Sequence, residues 1–406
     1  MTDPELLKSL MKEGHLLPQE EMLEVARKKS GLFIGVPKET SYQERRVALV
    51  PEAVSLLVAN GHHIKVETKA GINANFTDRD YSEAGAEIVY DTKEIFQCDI
   101  IFKVSPPIEE EVEMMKTGQT LISALQITMQ PKRILQKLME KKVTAIAWDY
   151  IRDKEGHFPV VRAMGEIAGN TSVLIAAELL SSFDAGKGVM LGGIAGVQPT
   201  EVVVLGAGTV GEFATRAALG LGCSIKVFDN SLSKLRRLQQ VTNNRMYTSV
   251  IQPKVLLKAL KRADVVIGAI RANMGKTPCV VSEEMVAEMK QGAVIIDVSI
   301  DQGGCFETSE VTNHTAPTFE KYGVTHYCVP NIASRVSRTA SFALSNIFSP
   351  LLLEMGNSGG CVDLIKKDHG FRGGVYMYNG TLTSEVLGKV FDLNYKDIEL
   401  LFLGKY

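Results

Sequence analysis

A glycine-rich turn between a strand and a helix constrains this chain more than any other feature. The apolar run Val202–Leu205 leads directly into GAGTVG at residues 206–211, a complete GxGxxG pattern. In such a turn the first glycine permits the sharp bend, the second lets the backbone approach a pyrophosphate, and the third lets the helix pack against the strand. The helix N-terminus then offers free N–H groups and a favourable dipole to phosphate oxygens. This stretch predicts a Rossmann-type βαβ unit that binds a dinucleotide.

An acidic residue at the end of the second strand indicates which dinucleotide binds. Ser224–Phe228 is followed by Asp229, 23 residues after Gly206. A carboxylate at this point can accept hydrogen bonds from the ribose hydroxyls and would repel a 2′-phosphate, so we expect NAD rather than NADP. A tight βα turn without a ligand is the alternative. The register of strand, glycines, helix, second strand and acid favours the NAD site.

Two series of alternating strands and helices indicate an α/β protein with two doubly wound domains and a cleft between them. We expect a discontinuous substrate domain at residues 31–160 and 342–406, and an NAD-binding domain at residues 161–341. A long helix is predicted at about Met164–Ser182, and another at about Ser341–Met355. Residues 1–30 are predicted to form an amphipathic helical extension. The tail from Gly356 is predicted to hold glycine-rich loops and one helix, near Ser384–Val390.

Composition and charge exclude several classes of protein. The net charge of −2 gives no reason to expect nucleic-acid or membrane-surface binding, and no apolar run is long enough to span a membrane. The six cysteines form no CxxC pair, which favours reduced thiols over a disulfide framework or a zinc site. No HxxE or HExxH pattern is present, so a catalytic metal is not expected. With no secretory signal visible, we expect a cytoplasmic protein.

Four further residues carry candidate chemistry. Asp301 follows an apolar strand, where a carboxylate can orient a nicotinamide, a water or an amine, although a turn-forming Asp before two glycines is an equal alternative. Arg46 could grip a carboxylate with two hydrogen bonds, or lie in a solvated basic loop. Lys103 is a charge within an apolar strand that could instead extend into solvent at the strand end. Asn331 could serve the nicotinamide carboxamide or simply form a turn after proline.

Four motifs resemble the alanine dehydrogenases and, more distantly, the soluble NAD-binding part of the transhydrogenase α subunit. They are IGVPKET with ERRVALVPEAV, MLGGIAGVQPTEVVVLGAGTVG, GAVIIDVSIDQGGCFETS, and YCVPNIASRVSRTASFALSN. The last two are specific to the alanine dehydrogenase side, and the resemblance covers about residues 31–395. It implies a homo-oligomer, typically a hexamer, that uses NAD to oxidise L-alanine reversibly to pyruvate and ammonia.

The resemblance also implies roles for individual residues. Arg46 would hold the substrate carboxylate, Asp301 would be the catalytic aspartate near the nicotinamide, and Asp229 would bind the adenosine ribose. Other residues would line the cofactor together with the glycine loop of residues 206–211, and these are Gly165, Thr209, Val210, Lys234, Ile270, Arg271, Val298, Ile300, Pro330, Asn331 and Ile332.

Two departures from the family pattern concern the substrate side. This chain has Ser105 where the family has a substrate-pairing lysine, and Gln126 where it has an acid/base histidine. Serine and glutamine can hydrogen-bond a carboxylate or keto oxygen, but neither transfers a proton near neutral pH as histidine does. We hypothesise that Lys103, two residues before Ser105, partly replaces the missing lysine, with Arg162 as a second candidate cation.

Three functions remain open from the sequence. The first is an alanine-dehydrogenase-type oxidoreductase with Asp301 as the main proton handler, and the second is a dehydrogenase of another amino or 2-oxo acid. The third is a non-catalytic NAD(H)-binding protein of transhydrogenase type. A panel of amino acids with NAD distinguishes the first two, and tight NADH binding without turnover would favour the third.

Overall fold

The chain forms two compact units in the computed structural model, which describes residues 31–41, 43–125, 131–182, 186–272 and 276–403. Unit 1 draws on Met1–Tyr42, Arg46–Val160 and Ser341–Tyr406, and unit 2 on Gln43–Arg45 and Val161–Ala340. The predicted helical extension at residues 1–30 lies outside the described residues.

Within the described chain, unit 1 contains an eight-stranded sheet in the order β15-β14-β6-β5-β4-β1-β2-β3. Strands are numbered along the whole chain, and those of unit 1 are β1 (Phe33–Val36), β2 (His63–Glu67), β3 (Glu87–Val89), β4 (Ile100–Phe102), β5 (Thr120–Ser123), β6 (Thr144–Ala147), β14 (Val375–Tyr378) and β15 (Thr381–Leu382). The first six are parallel, whereas β14 is antiparallel to both β6 and β15. The chain therefore winds outward in both directions from the β1–β4 pair.

Unit 2 repeats this winding in a seven-stranded sheet, again within the described chain, in the order β12-β13-β11-β10-β7-β8-β9. Its strands are β7 (Glu201–Leu205), β8 (Ser224–Phe228), β9 (Tyr247–Ser249), β10 (Val265–Gly268), β11 (Val294–Asp297), β12 (Thr318–Lys321) and β13 (Val324–Tyr327). All neighbours are parallel except β12 and β13. Without its antiparallel edge, this is the Rossmann strand order, which reverses between β7 and β10. The predicted pair of Rossmann-like units is confirmed.

The helices flank these strands. They are α1 (Pro51–Ala59), α2 (Asp78–Glu83), α3 (Thr92–Ile95), α4 (Glu109–Met114), α5 (Lys132–Glu140), α6 (Pro159–Ser181), α7 (Thr209–Gly220), α8 (Leu232–Thr242), α9 (Pro253–Leu260), α10 (Glu283–Ala287), α11 (Ser337–Ser358), α12 (Cys361–Lys367), α13 (His369–Arg372), α14 (Glu385–Phe391) and α15 (Ile398–Leu403). Among the described residues, no helix combines the length and the apolar character that a membrane span requires.

The central strands of unit 2 explain why this sequence forms a buried parallel sheet. Every residue of β7, β10 and β11 is buried, and all three strands are rich in valine and isoleucine. Strands covered by helices on both faces are continuously apolar rather than alternating. Alternate residues of β7 enter two different cores, with Val202 and Val204 in one and Val203 and Leu205 in the other. The glycine loop is therefore held by a rigid strand.

Three elements differ from the sequence prediction. Helix α6 begins at Pro159 rather than near Met164, because proline is tolerated in the first turn of a helix. Helix α11 extends from Ser337 to Ser358, beyond both predicted ends. The tail contains the strand pair β14–β15 and three helices besides α14, because β14 completes the sheet beside β6.

Candidate functional site

The glycine loop between β7 and α7 lies where the strand order of unit 2 reverses. Gly206 has a φ of 108°, and a Cβ built on it would lie closer than 3.0 Å to the carbonyl oxygen of Ala269, which follows β10. Its N–H donates to the carbonyl of Phe228 at 2.7 Å. The turn is thus fixed to both neighbouring strands, and no side chain fits at its first position.

The other two glycines of the loop have different surroundings. A Cβ on Gly211 would collide with the carbonyl oxygen of Gly206, so this glycine lets α7 begin close to the strand. Within the part of the chain that the structure describes, a Cβ on Gly208 would meet nothing within 4 Å, and the φ of −75° at Gly208 suits any residue. Protein packing therefore does not require a glycine at position 208. A ligand that approaches the backbone there does, so the loop fits the pyrophosphate of a dinucleotide.

Helix α6 closes one side of this loop through two glycines one turn apart. A Cβ on Gly165 would lie 3.4 Å from Thr209 at the start of α7, and a Cβ on Gly169 would collide with the carbonyl oxygen of Val210. Gly165 is among the residues predicted from the sequence, whereas Gly169 is not. Their four-residue spacing in a helix was the available signal, since it places both on one face.

Asp229 follows β8 and forms a hydrogen bond with the glycine loop. Its carboxylate accepts the N–H groups of Ala207 at 2.8 Å and of Ser231 at 2.7 Å. A carboxylate has about four acceptor positions, so two further hydrogen bonds from a ribose remain possible. The N–H of Lys234 is bonded at 3.4 Å to the Ser231 hydroxyl, which caps α8.

Arg237, which is not among the residues predicted from the sequence, also adjoins the glycine loop. Its guanidinium donates to the carbonyl of Ala207 at 3.4 Å and pairs with Glu212 of α7 at 2.9 Å. The cluster of basic residues in α8 was the only signal in the sequence. A positive charge beside the glycine loop adds to the field of the helix N-terminus.

Asp301 lies in a short 3-10 helix, Val298–Gln302, directly after β11. The buried carboxylate of Asp297 fixes the start and end of this segment, because it accepts the N–H groups of Ser299 and Cys305, each at 3.0 Å. It also accepts the hydroxyl of Ser309 at 2.7 Å. Burial raises the pKa of Asp297 above its usual value, and these three donors partly offset that effect. Asp301 itself is exposed.

Asn331 lies beside Asp301 in unit 2. Its N–H donates to Oδ1 of Asp301 at 2.9 Å, and its φ of 58° and ψ of 46° are left-handed. Its side-chain amide donates to Glu44 at 2.5 Å. The structure thus brings together two predicted site residues and adds Glu44, which no sequence pattern indicates.

Unit 1 has its own strand-order reversal, between β1 and β4, and Glu39 lies there. Its carboxylate accepts the N–H of Val104 at 2.5 Å and that of Ser105 at 3.3 Å, and so binds the segment after β4 to the segment after β1. Ser105 is only 1% exposed, and its hydroxyl has no hydrogen-bond partner among the described residues. A buried hydroxyl without a partner is costly, so Ser105 is a candidate ligand contact.

The alternative in which the Lys103 side chain extends into solvent at the strand end is wrong. The side chain is 0% exposed, and Nζ donates to both carboxylate oxygens of Glu111, at 2.6 and 2.8 Å. Glu39 lies 3.7 Å away. Burial disfavours the ammonium, but attraction to Glu39 and Glu111 outweighs it and raises the pKa of Lys103. Its contacts are those of a buried ion pair rather than of a substrate ligand.

The other candidate residues have different surroundings. Arg46 is 4% exposed, so it is not part of a solvated loop, and the N–H of Val47 beside it donates to Ser341 at 2.9 Å. Arg162 is exposed on α6 and pairs with Glu166 at 3.2 Å. Gln126 lies outside the described residues. Ile270 and Arg271 follow β10, and Val298, Ile300, Pro330 and Ile332 follow β11 and β13. No group of three metal-binding side chains occurs among the residues the structure describes.

Comparison with known families gives two matches that together span most of the chain. The family described as "Alanine dehydrogenase/PNT, N-terminal domain" matches residues 35–168, and its C-terminal domain counterpart matches residues 172–385. The N-terminal domain match lies in unit 1, apart from residues 43–45 and 161–168, which belong to unit 2.

Similar proteins and solved structures extend this likeness along the chain. An alanine dehydrogenase of Methanococcus maripaludis is 39% identical over 91% of this chain and 99% of its own length. One of Bacillus subtilis is 38% identical over 90% and 96%. A solved L-alanine dehydrogenase has a TM-score of 0.83 at 36% identity, covering 88% of this chain and 99% of that chain. A transhydrogenase from Sinorhizobium meliloti shares the fold, with a TM-score of 0.74 at 22% identity over 87% and 99%.

Proposed function

This chain belongs to the alanine dehydrogenase/PNT family, and on that premise we propose that it converts L-alanine reversibly to pyruvate and ammonia with NAD. The observation that carries the proposal is the identity of 38–39% with named alanine dehydrogenases over about nine-tenths of the chain. The dehydrogenase of another amino or 2-oxo acid and the non-catalytic binding protein are not favoured by these relatives.

We propose that NAD binds along the carboxyl ends of the unit 2 strands. Gly208 leaves room for the pyrophosphate, and the free N–H groups at the start of α7 point towards it. Asp229 accepts the ribose hydroxyls, and its charge disfavours a 2′-phosphate. The other lining residues proposed from the sequence are Gly165, Lys234, Ile270, Arg271, Val298, Ile300, Pro330, Asn331 and Ile332. When bound, NAD supplies a hydride acceptor for the α-carbon of alanine.

Three side chains are proposed to act on the substrate. Arg46 binds the carboxylate, for which a guanidinium offers two parallel hydrogen bonds. Ser105 donates its hydroxyl, which lacks a protein partner among the described residues, to a substrate oxygen. Asp301 accepts the proton of the water that attacks the imine carbon, and returns a proton as ammonia leaves.

Lys103 is not retained as a substrate ligand in this proposal. Its ammonium is committed to Glu111 and lies near Glu39, which in turn holds the N–H groups of Val104 and Ser105. Its proposed part is to neutralise Glu39 and thereby support the position of Ser105. The role predicted for Gln126 stays a prediction.

Steady NADH formation from L-alanine and NAD at alkaline pH tests the proposal. We expect turnover with L-alanine and a loss of at least a hundredfold in kcat for Asp301→Asn, since general acid–base groups contribute about 10²–10⁴-fold. Asp264→Asn is the matched control, because Asp264 lies before β10, at the opposite ends of the strands, where it binds Lys290 at 2.9 Å. Absence of turnover with every amino acid tested would exclude the function. Full activity of Asp301→Asn would exclude only the role of Asp301.

The assembly and the compartment are proposals as well. We propose a homo-oligomer, a hexamer or a dimer, in the cytoplasm, with no nucleic-acid or membrane partner. Light scattering coupled to size-exclusion chromatography measures the assembly directly. A monomeric mass across the working concentration range would contradict it.

A further inference from the structure

Glu44 is a buried carboxylate surrounded by donors within unit 2. Glu44 is only 4% exposed. One oxygen accepts the N–H of Arg45 and the hydroxyl of Ser334, each at 3.1 Å, and the other accepts the side-chain amide of Asn331 at 2.5 Å. The Ser334 hydroxyl also accepts the N–H of Arg45 at 2.8 Å. A carboxylate removed from water is tolerated when several donors satisfy it, and here they do.

Asn331 links this carboxylate to Asp301. Its left-handed backbone is a conformation that asparagine adopts more readily than most residues. The side chain is bonded to Glu44, while the N–H of the same residue donates to Oδ1 of Asp301 at 2.9 Å. Because both ends of Asn331 are bonded, the direction of its N–H is fixed. That N–H favours the ionised form of Asp301 and holds the carboxylate in one orientation.

We propose that Glu44 is a positioning residue for Asp301 and acts through Asn331. The inference rests on the proposed function, in which Asp301 handles the proton. Glu44 touches neither substrate nor cofactor in this scheme. Asp297 fixes the two ends of the 298–305 segment. The hydrogen bonds that run from Glu44 through Asn331 fix the carboxylate of Asp301, which this segment carries.

Two other roles are possible for a carboxylate at this place, and they predict different kinetics. Glu44 could stabilise unit 2 without any effect on the reaction, in which case only the melting temperature changes. It could also act on Arg46, two residues further along the chain, in which case KM for alanine rises and kcat is unchanged. Positioning of Asp301 instead lowers kcat, and it shifts the acidic limb of the pH profile of kcat/KM to higher pH.

The test compares Glu44→Ala, Glu44→Gln and Asn331→Gly in the full chain. Alanine removes the bond to Asn331. Glutamine can restore it by turning its oxygen to the Asn331 amide, because the Arg45 N–H retains the Ser334 hydroxyl as acceptor. Glycine at 331 suits the left-handed backbone and removes the side chain that bonds to Glu44.

We expect kcat to fall roughly tenfold in Glu44→Ala and in Asn331→Gly, corresponding to about 1.4 kcal/mol of barrier. The double variant should be no slower than the slower single variant, and Glu44→Gln should recover most of the rate. Glu201→Ala is the matched control. This buried carboxylate at the amino end of β7 binds Lys226 at 2.5 Å and Arg262 at 2.8 Å, so its loss should lower the melting temperature and leave kcat unchanged.

Additive losses in the double variant, a rise in KM alone, or a change in melting temperature alone would each overturn the inference. Full activity of Glu44→Ala in an otherwise active enzyme would overturn it without touching the proposed function. An inactive wild-type protein would overturn both, because no reaction would then depend on the orientation of Asp301.

Discussion

Substitution of Gly208 by alanine separates the demands of a ligand from those of the fold. A Cβ there meets no atom of the described residues within 4 Å, and the backbone angles suit alanine. A compatible Gly→Ala change stabilises by about 0.4–1 kcal/mol through the unfolded chain. For a unit of this size that raises the melting temperature by about 1–4 °C. We therefore expect Gly208→Ala to fold at least as stably as the wild type.

The same methyl group should weaken NADH binding. A phosphate oxygen bonded to the backbone at this turn leaves no room for a carbon atom, so the pyrophosphate must shift and lose one charge-assisted hydrogen bond. Such a bond contributes about 1.5–3 kcal/mol, and the dissociation constant should rise by roughly tenfold to a hundredfold. Titration of NADH fluorescence measures the affinity, and thermal unfolding without ligand measures the stability.

Gly220→Ala provides the matched control for this experiment. Gly220 is the last residue of the same helix, α7, and its Cβ would also meet nothing within 4 Å. It should gain similar stability and keep wild-type affinity. Unchanged NADH binding in Gly208→Ala would refute the placement of the pyrophosphate, and a lower melting temperature would refute the open space at this position.

Three further predictions follow from buried groups and close packing. Gly211→Ala should be destabilised as well as defective in NADH binding, because its Cβ collides with the Gly206 carbonyl; a wild-type melting temperature would contradict this. Lys103→Met should lose about 3–5 kcal/mol, because Glu111 stays buried without its partner. In the wild type, denaturant titrations should show this stabilisation intact below pH 10.5 and lost only as the pH rises through the raised pKa of Lys103; an equally stable methionine variant would exclude a structural ion pair. Ellman's reagent should modify only Cys279 rapidly in the folded protein, because the other five thiols are buried and burial raises the pKa of Cys328 to about 12; rapid reaction of a second thiol would contradict the burial.

The parts that were predictable from the sequence are local ones. The glycine loop, its two strands and Asp229 lie within one short stretch, and the close approach of Gly211 to the Gly206 carbonyl is equally local. The bounds of helix α1 are local in the same sense, because Pro51 at its start and Gly61 shortly after its end mark them in the sequence.

The supporting residues of the site were not predictable, because they act across large separations in the chain. Glu44 and Asn331 are 287 residues apart, and Glu39 and Val104 are 65 apart. No periodicity or spacing in the sequence encodes such pairs. Lys103 illustrates a different limit of prediction from sequence. Its charge within an apolar strand is visible in the sequence, but its partner Glu111, on the next helix, becomes evident only in the fold.

The return of the chain to unit 1 has a consequence for folding during synthesis. Residues 161–340 leave the ribosome before the last 66 residues of the chain. Those 66 residues supply β14, which pairs with β6. They also supply the hydroxyls of Ser341 and Ser345, which accept the N–H groups of Val47 and Val50. At roughly 5–20 residues per second, the ribosome needs about 3–13 s to add that stretch. During this interval unit 2 has nearly all of its chain, whereas unit 1 still exposes an unpaired strand edge. A nascent chain arrested when residue 340 has just left the exit tunnel should therefore protect unit 2 from proteolysis while unit 1 remains open to chaperones.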